Sequence, residues 1–190
     1  MAMNVFDFDG TIIDGDTATE FYLFTLRRHP RLLRRLPQAF AAWGLRKLKL
    51  ISSVQMRNLF YPTFLPYLDV PYEAMIFWKQ RKKKIKQWYL DIKQTNDVIT
   101  TASPDCLVRP MMEELGVQWI ATRVDLRTGN VIGADNRDAR KPINFLHRYP
   151  GAKIDKFYSD SMVDEPMAVM AKKAFLVRGD KISPWPNRRK

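Results

Sequence analysis

Asp7 and Asp9, in the stretch Val5-Phe6-Asp7-Phe8-Asp9-Gly10-Thr11, are the residues whose type and spacing could do chemistry. A short apolar run delivers two carboxylates with one residue between them and then meets a glycine turn. On a strand, side chains alternate between faces, so both acids project together from its carboxyl end while Phe6 and Phe8 enter the core. Carboxylates held that close repel unless a cation lies between them or one keeps its proton. The pattern points to a metal site, to acid/base chemistry or to both, with a solvated strand end as the alternative.

Further groups follow at strand and helix ends. Asp97-Val98-Ile99-Thr100-Thr101 reads as a strand, with Ala102-Ser103-Pro104 turning it into a helix in which Ser103 is the N-cap and Pro104 the first residue. Pro110 is expected to distort that helix, which ends near Gly116. Val117 to Ala121 is the next apolar run, and Val124 to Val131 reads as a hairpin around Thr128-Gly129-Asn130. Lys141 falls at the start of a helix holding Ile143, Phe145 and Leu146. Phe157-Tyr158-Ser159-Asp160 is another strand ending in an acid, and Asp164 precedes the helix that Pro166 introduces. Taken singly, such a threonine, lysine and acid pair read as a core hydroxyl, a solvated cation and helix caps; their order at successive strand ends weighs against that.

With 190 residues and 46% apolar content the chain can bury a core, which excludes disorder. Cys106 is the single cysteine, so no internal disulfide forms, and no Cys/His spacing suits zinc. His29 and His147 have no partner pattern and read as structural or surface residues. No leader-like N-terminal segment is seen, and the uncharged run from Leu36 to Leu45 is far shorter than the roughly 20 residues a membrane span needs. A soluble, cytoplasmic protein is expected.

The net charge of +12 is concentrated: residues 15–91 hold 15 Lys and Arg against five acids, a net of +10. The same segment reads as successive helices. Asp16 or Thr17 caps one that runs through Phe21 and Phe24 to Arg28; a second, kinked near Pro37, carries Leu32, Leu33, Leu36, Phe40, Trp43, Leu45 and Leu48; Pro62, Pro66 and Pro71 mark turns. A last helix from about Tyr72 to Lys93 sets Trp78, Ile85, Trp88 or Tyr89, and Ile92 on one seam, with Arg81, Lys82, Lys83, Lys84 and Lys86 around the rest. The organisation expected is α/β: residues 1–14 and 94–190 as a core, with 15–93 inserted as a helical cap.

In this order the motifs resemble those of the haloacid dehalogenase superfamily, in the branch similar to phosphoserine phosphatase with a helical cap after the first motif. The resemblance rests on Asp7-Phe8-Asp9-Gly10-Thr11, on Thr101 in Ile99-Thr100-Thr101-Ala102-Ser103-Pro104, on Lys141, and on Asp160-Ser161-Met162-Val163-Asp164, and it spans essentially the whole chain. It implies a Rossmann-like core with a parallel sheet. It further implies a phosphatase in which Asp7 is the nucleophile that forms an aspartyl phosphate and Asp9 is the general acid and base. Mg²⁺ would be held by Asp7, the Asp9 carbonyl and Asp160; Thr101, the Ala102 N–H and Lys141 would hold phosphoryl oxygens, and Asp164 would support the metal shell or pair with Lys141. An acid at position 9 favours phosphate over halide chemistry. The run Asp135-Asn136-Arg137-Asp138-Ala139-Arg140 departs from the glycine-rich approach to the lysine in that branch.

Substrate choice falls to the inserted helices. By the same resemblance Asp16, with Glu20 one turn on, corresponds to an acid that receives a substrate amine, and Arg57 to a carboxylate receptor; Asp16 also reads as a plain helix cap. A small phosphomonoester such as phosphoserine is one expectation. A second is a lipid phosphate resembling phosphatidylglycerophosphate, reached by peripheral contact of the basic segment with an anionic membrane. A non-enzymatic nucleic-acid binder is permitted by the pI of about 9.9 but is not favoured, because no nucleic-acid-binding motif supports it.

Overall fold

The strands are β1 (Ala2–Phe6), β2 (Val98–Pro104), β3 (Gln118–Thr122), β4 (Lys153–Ser159), β5 (Ala171–Arg178) and β6 (Lys181–Pro184). They make one sheet in the order β3-β2-β1-β4-β5-β6, parallel except for the antiparallel edge strand β6. The computed structural model describes residues 2–186; residue 1 and residues 187–190 of the expected core lie outside the described residues. The architecture is the Rossmann-like α/β type, and β1 lies between β2 and β4, where the direction of chain winding reverses. In open parallel sheets that reversal opens a cleft beyond the carboxyl ends of the central strands.

Both faces of the sheet are covered, which explains why its central strands are apolar on both sides. On one face Phe6, Tyr158 and Phe175, from β1, β4 and β5, form a row of stacked rings with centroids 4.8 Å apart at each step. On the other, Val5, Val98 and Phe157 pack with Phe145, Met167 and Trp185. Helix α6 (Asp105–Leu115) follows β2, α7 (Arg140–Arg148) precedes β4, and α8 (Glu165–Met170) precedes β5. Helix α6 runs unbroken past Pro110 and ends at Gly116, whose positive φ of 65° reverses the chain. The hairpin at residues 124–131 is reduced to one bridge, Val124 with Val131.

Between β1 and β2 come α1 (Thr17–Arg28), a 3-10 turn (Pro30–Arg35), α2 (Leu36–Lys47), α3 (Ser53–Phe60), α4 (Val70–Arg81) and α5 (Gln87–Ile92). The single helix expected from Tyr72 to Lys93 is instead two. After a 3-10 turn at Lys82–Lys84 the chain extends, Ile85 bridges to Ile13, and the Lys86 N–H donates to Ile12 O at 2.9 Å. Backbone pairing with the stretch after β1 thus overrides helical continuation, and Lys86 is buried rather than on the solvated side. His29 Nε2 lies 3.0 Å from the buried Glu73, which also pairs with Arg28, while His147 is exposed. Among the described residues no helix is long and apolar enough to cross a membrane.

Aromatic side chains knit these helices together. Phe64, wholly buried, contacts the rings of Phe21, Tyr22, Phe60 and Tyr61, with centroids 4.9 to 6.3 Å away. Removing it leaves a cavity at the meeting point of α1, α3 and the turn that follows. Phe64→Ala is expected to cost about 3–5 kcal/mol of unfolding free energy, read from urea unfolding followed by circular dichroism.

Candidate active site

Asp7 is the first residue beyond β1, and its N–H donates to Tyr158 O at 2.8 Å, so β4 fixes the point at which the acid leaves the sheet. Its Oδ1 accepts from Lys141 Nζ at 2.5 Å, and the same ammonium reaches Asp164 Oδ2 at 2.6 Å. Ser159 Oγ donates to that Asp164 oxygen at 2.8 Å, holding it toward the lysine. Lys141 sits in the first turn of α7, a helix carried to this place by the loop before it. Asn136 pins that loop. Buried, it donates to Thr100 Oγ1 at 2.9 Å, Thr101 O at 3.0 Å and Ile120 O at 3.1 Å, and it accepts from Asn144 at 3.0 Å.

Asp9 is held by hydroxyls and an amide. Its Oδ1 accepts from the Thr17 N–H at 2.8 Å and from the Thr17 hydroxyl; its Oδ2 accepts from Ser103 Oγ at 2.6 Å and Thr101 Oγ1 at 3.3 Å. Strand β2 continues through Pro104 and α6 has no side-chain cap, so Ser103 is not the N-cap. Its hydroxyl turns onto Asp9 instead, and its N–H donates to Thr101 Oγ1 at 3.0 Å. Thr101 is fully buried behind it, and the cavity wall at the end of β2 consists of Ala102 and Ser103. Ser103 is a site residue the sequence reading passed over; an alternating hydroxyl two residues beyond Thr101 was its signal.

Asp160 follows β4 and lies on the turn after Asp9. Gly10 has φ +74°, and a Cβ there would fall 2.2 Å from Asp160 Oδ2, so glycine is required both by the backbone angle and by the carboxylate against it. The Asp160 N–H donates to Thr11 Oγ1 at 2.8 Å, and that hydroxyl lies 3.3 Å from Asp160 Oδ1 and 3.5 Å from Asp7 Oδ2.

Four carboxylates, Asp7, Asp9, Asp160 and Asp164, therefore line one cleft with the buried ammonium of Lys141, which contacts Asp7 and Asp164. Burial pushes the Asp7 carboxyl up to about 8, against the pull of Lys141 and with Asp164 and Asp9 adding repulsion. Asp9 is also raised, first by burial and then by the charge of Asp16, with Ser103 and Thr17 opposing the shift. Asp160 is raised chiefly by burial. Burial alone would lower Lys141, but Asp7 and Asp164 hold it protonated and raise it. The excess of hard oxygen donors over positive charge fits a divalent cation such as Mg²⁺, which Asp7 and Asp160 on the cleft wall could hold together with the Asp9 carbonyl.

These residues open into a cleft of about 600 Å³ whose outer walls come from the inserted helices: Trp43, Met56, Arg57, Phe60 and Tyr61, with Arg137 opposite. Asp16 lines it and caps α1, its Oδ1 accepting from the Thr19 N–H at 2.7 Å. Glu20 lies against Gly15 and is neutralised by Arg81 and by Lys84 at 3.1 Å. Arg57 is buried on Asp135 at 2.5 Å and tied to Ser53, yet its Nε has no hydrogen-bond partner among the described residues.

A cleft of this kind, at the carboxyl end of a parallel sheet and rich in fixed acids, belongs to the α/β proteins that carry their chemistry on the loops following the strands. The chain belongs to the haloacid dehalogenase-like hydrolase family, whose model matches residues 5–169. No curated protein shows a significant sequence match. Among solved structures, a protein of unknown function from Bordetella pertussis Tohama I is similar at TM-score 0.72 and 18% identity, over 87% of this chain and 85% of that one. A phosphoserine phosphohydrolase-like protein from Francisella tularensis subsp. tularensis SCHU S4 is similar at 0.58 and 15%, over 92% and 86%. A phospho-aspartyl intermediate analogue of phosphoserine phosphatase is similar at 0.55 and 15%, over 91% and 84%.

Lys86 is the second residue missed from sequence. Its buried ammonium donates to Gly10 O at 3.1 Å and Gly179 O at 2.9 Å and pairs with Asp14 at 2.9 Å, fastening the turn after Asp9 to the β5–β6 connection. Lys86→Met leaves both carbonyls unpaired and is expected to cost about 2–3 kcal/mol in thermal or urea unfolding, with Lys86→Arg closer to wild type.

Proposed function

We propose that the chain is a Mg²⁺-dependent phosphomonoesterase that works through an aspartyl phosphate on Asp7. The observation that carries this reading is the convergence of Asp7, Asp9, Lys141 and Asp160 on one cleft, with Lys141 Nζ 2.5 Å from the Asp7 carboxylate. Asp7 attacks phosphorus in line; an Asp7 oxygen bonds to it as the ester P–O bond breaks. Asp9, whose carboxyl is raised chiefly by burial, gives a proton to the departing alkoxide oxygen. Asp9 then takes a proton from water, which attacks the aspartyl phosphate and releases inorganic phosphate and free Asp7.

Lys141 holds one Asp7 oxygen in place and offsets charge on the phosphoryl group, while the Ala102 N–H is assigned to a phosphoryl oxygen at the cleft wall. Bound Mg²⁺ supplies charge neutralisation between an anionic nucleophile and an anionic ester. Thr17 and Ser103 orient Asp9, a positioning role that the sequence-based assignment gave to no residue. The unpartnered Arg57 Nε supports an acceptor on the substrate's leaving group. The residue 15–93 insertion is proposed as the cap that forms this outer wall.

Asp7→Asn is expected to lower turnover of para-nitrophenyl phosphate by at least about 10³-fold, and Asp9→Asn by about 10²–10⁴-fold, in a stopped phosphate-release assay with circular dichroism unchanged. Near-normal turnover by either variant refutes the mechanism. Asp7 is about 8 in the folded chain against an ordinary 3.8, so stability carried by its protonated form is lost as pH rises through that window. A cation binds the ionised carboxylates, so the rise in Tm produced by Mg²⁺ should be larger at pH 8 than at pH 5.

A further inference from the structure

Helix α2 is turned inside out. It buries the small residues Ala39 and Ala42 and exposes Phe40 at 67% and Trp43 at 61%, the reverse of what water demands of a surface helix. The exposed apolar surface continues beyond both ends, through Leu33 at 48% before it and Leu48 and Leu50 at 70% and 67% after it. Phe40 and Lys47 are seven apart on α2 and Trp43 lies three beyond Phe40, so these three positions share one stripe. Lys49, at the end of the helix, takes a positive φ of 59°, a strained angle for a lysine, in the turn that presents Leu48 and Leu50.

The charge around this stripe has one sign. Residues 21–68 contain nine Lys and Arg and no Asp or Glu. Arg31, Arg34 and Arg35, on the 3-10 turn before α2, border a basic hollow with Gln38 and Tyr67, and Arg35 stacks 3.9 Å above the Tyr67 ring. Lys47 Nζ lies 5.4 Å from the Trp43 ring, its stem along the apolar stripe and its head beside it.

We propose that α2 and the turn before it form a docking face for an anionic lipid bilayer, with Phe40, Trp43, Leu48 and Leu50 entering the interface and the arginines on lipid phosphates. Bulky apolar tips ringed by cations match an anionic interface in both charge and polarity. A second copy of this chain on the same face sets like charges against each other. Nucleic acid satisfies the arginines but gives the exposed leucines no partner, because bases stack on aromatic rings and guanidinium planes. Trp43 belongs both to this face and to the wall of the catalytic cleft, so docking brings the cleft mouth to the bilayer surface.

Flotation of the full chain with phosphatidylcholine vesicles, with and without phosphatidylglycerol, tests the face. Binding is expected to be at least about tenfold stronger to the anionic vesicles, with Trp fluorescence quenched by acyl-chain bromines, a signal that Trp43→Phe removes. Phe40→Ser with Leu48→Ser, and separately Arg31→Glu with Arg34→Glu, should each weaken flotation by about tenfold. Both double variants should leave circular dichroism and para-nitrophenyl phosphate hydrolysis unchanged. Asp7→Asn should float like wild type, so failure of docking is distinguishable from failure of the hydrolytic reading. The proposal is overturned by equal or absent flotation with both vesicle types, by double variants that fold and float normally, by quenching that survives in Trp43→Phe, or by salt-sensitive retention on an RNA homopolymer without flotation.

Discussion

The buried ammonium of Lys141 between Asp7 and Asp164 is the interaction on which the rest of the structure depends. A buried ion group is stable only when its desolvation is offset by short, well-directed contacts on every side. Each of its three members arrives from a different element: Asp7 from the end of β1, Lys141 from the first turn of α7, and Asp164 from the start of α8. Much of the surrounding hydrogen bonding serves that meeting. Asn136 fixes the loop that carries Lys141, Ser159 orients Asp164, and the Tyr158 carbonyl anchors Asp7.

The single ammonium of Lys141 does not offset all the acids that line the cleft. Asp7, Asp9 and Asp160 are all raised by burial, so the cleft is held at a cost until a cation or a substrate group enters it. Differences in how they are held separate their roles. Asp7 meets an ammonium, whereas Asp9 meets hydroxyls and an amide, and the proposed nucleophile and acid/base roles follow that division. The inserted helices add a wall of another character, aromatic and basic, and it is tied to the lysine loop through Arg57 and Asp135.

Much of this was legible in the sequence because strand-end positions announce themselves by alternation and turn residues. Asp7, Asp9, Lys141 and Asp160 all stand where local pattern placed them, and Asp16 caps α1 as its type suggests. What was hidden depended on contacts distant in the chain. Ser103 looked like a helix cap because Ser-Pro before an apolar helix is a cap pattern; only the approach of Asp9 turned it around. The break at Lys82–Lys86 was unreadable because it arises from backbone pairing with residues 12 and 13. Strands β5 and β6 went unread because Lys172 and Lys173 obscure alternation along an apolar run. The apolar positions of α2 were visible, but helical periodicity says only that they share a side, not that the side faces outward.

The Lys86 anchorage also bears on when the protein becomes active during its synthesis. Its ammonium bonds both Gly10 and Gly179, and the second contact cannot form on a nascent chain whose β5–β6 hairpin is still inside the ribosome. The parallel partner of β1 from residues 153–159 is delayed for the same reason. Domains ordinarily begin folding from the N-terminus as they emerge. Here Asp7 and Asp9 wait for Lys141 and for strands β4 and β5, so the cleft is completed only once those segments have emerged, and a shorter nascent polypeptide carries its acids without the lysine that organises them.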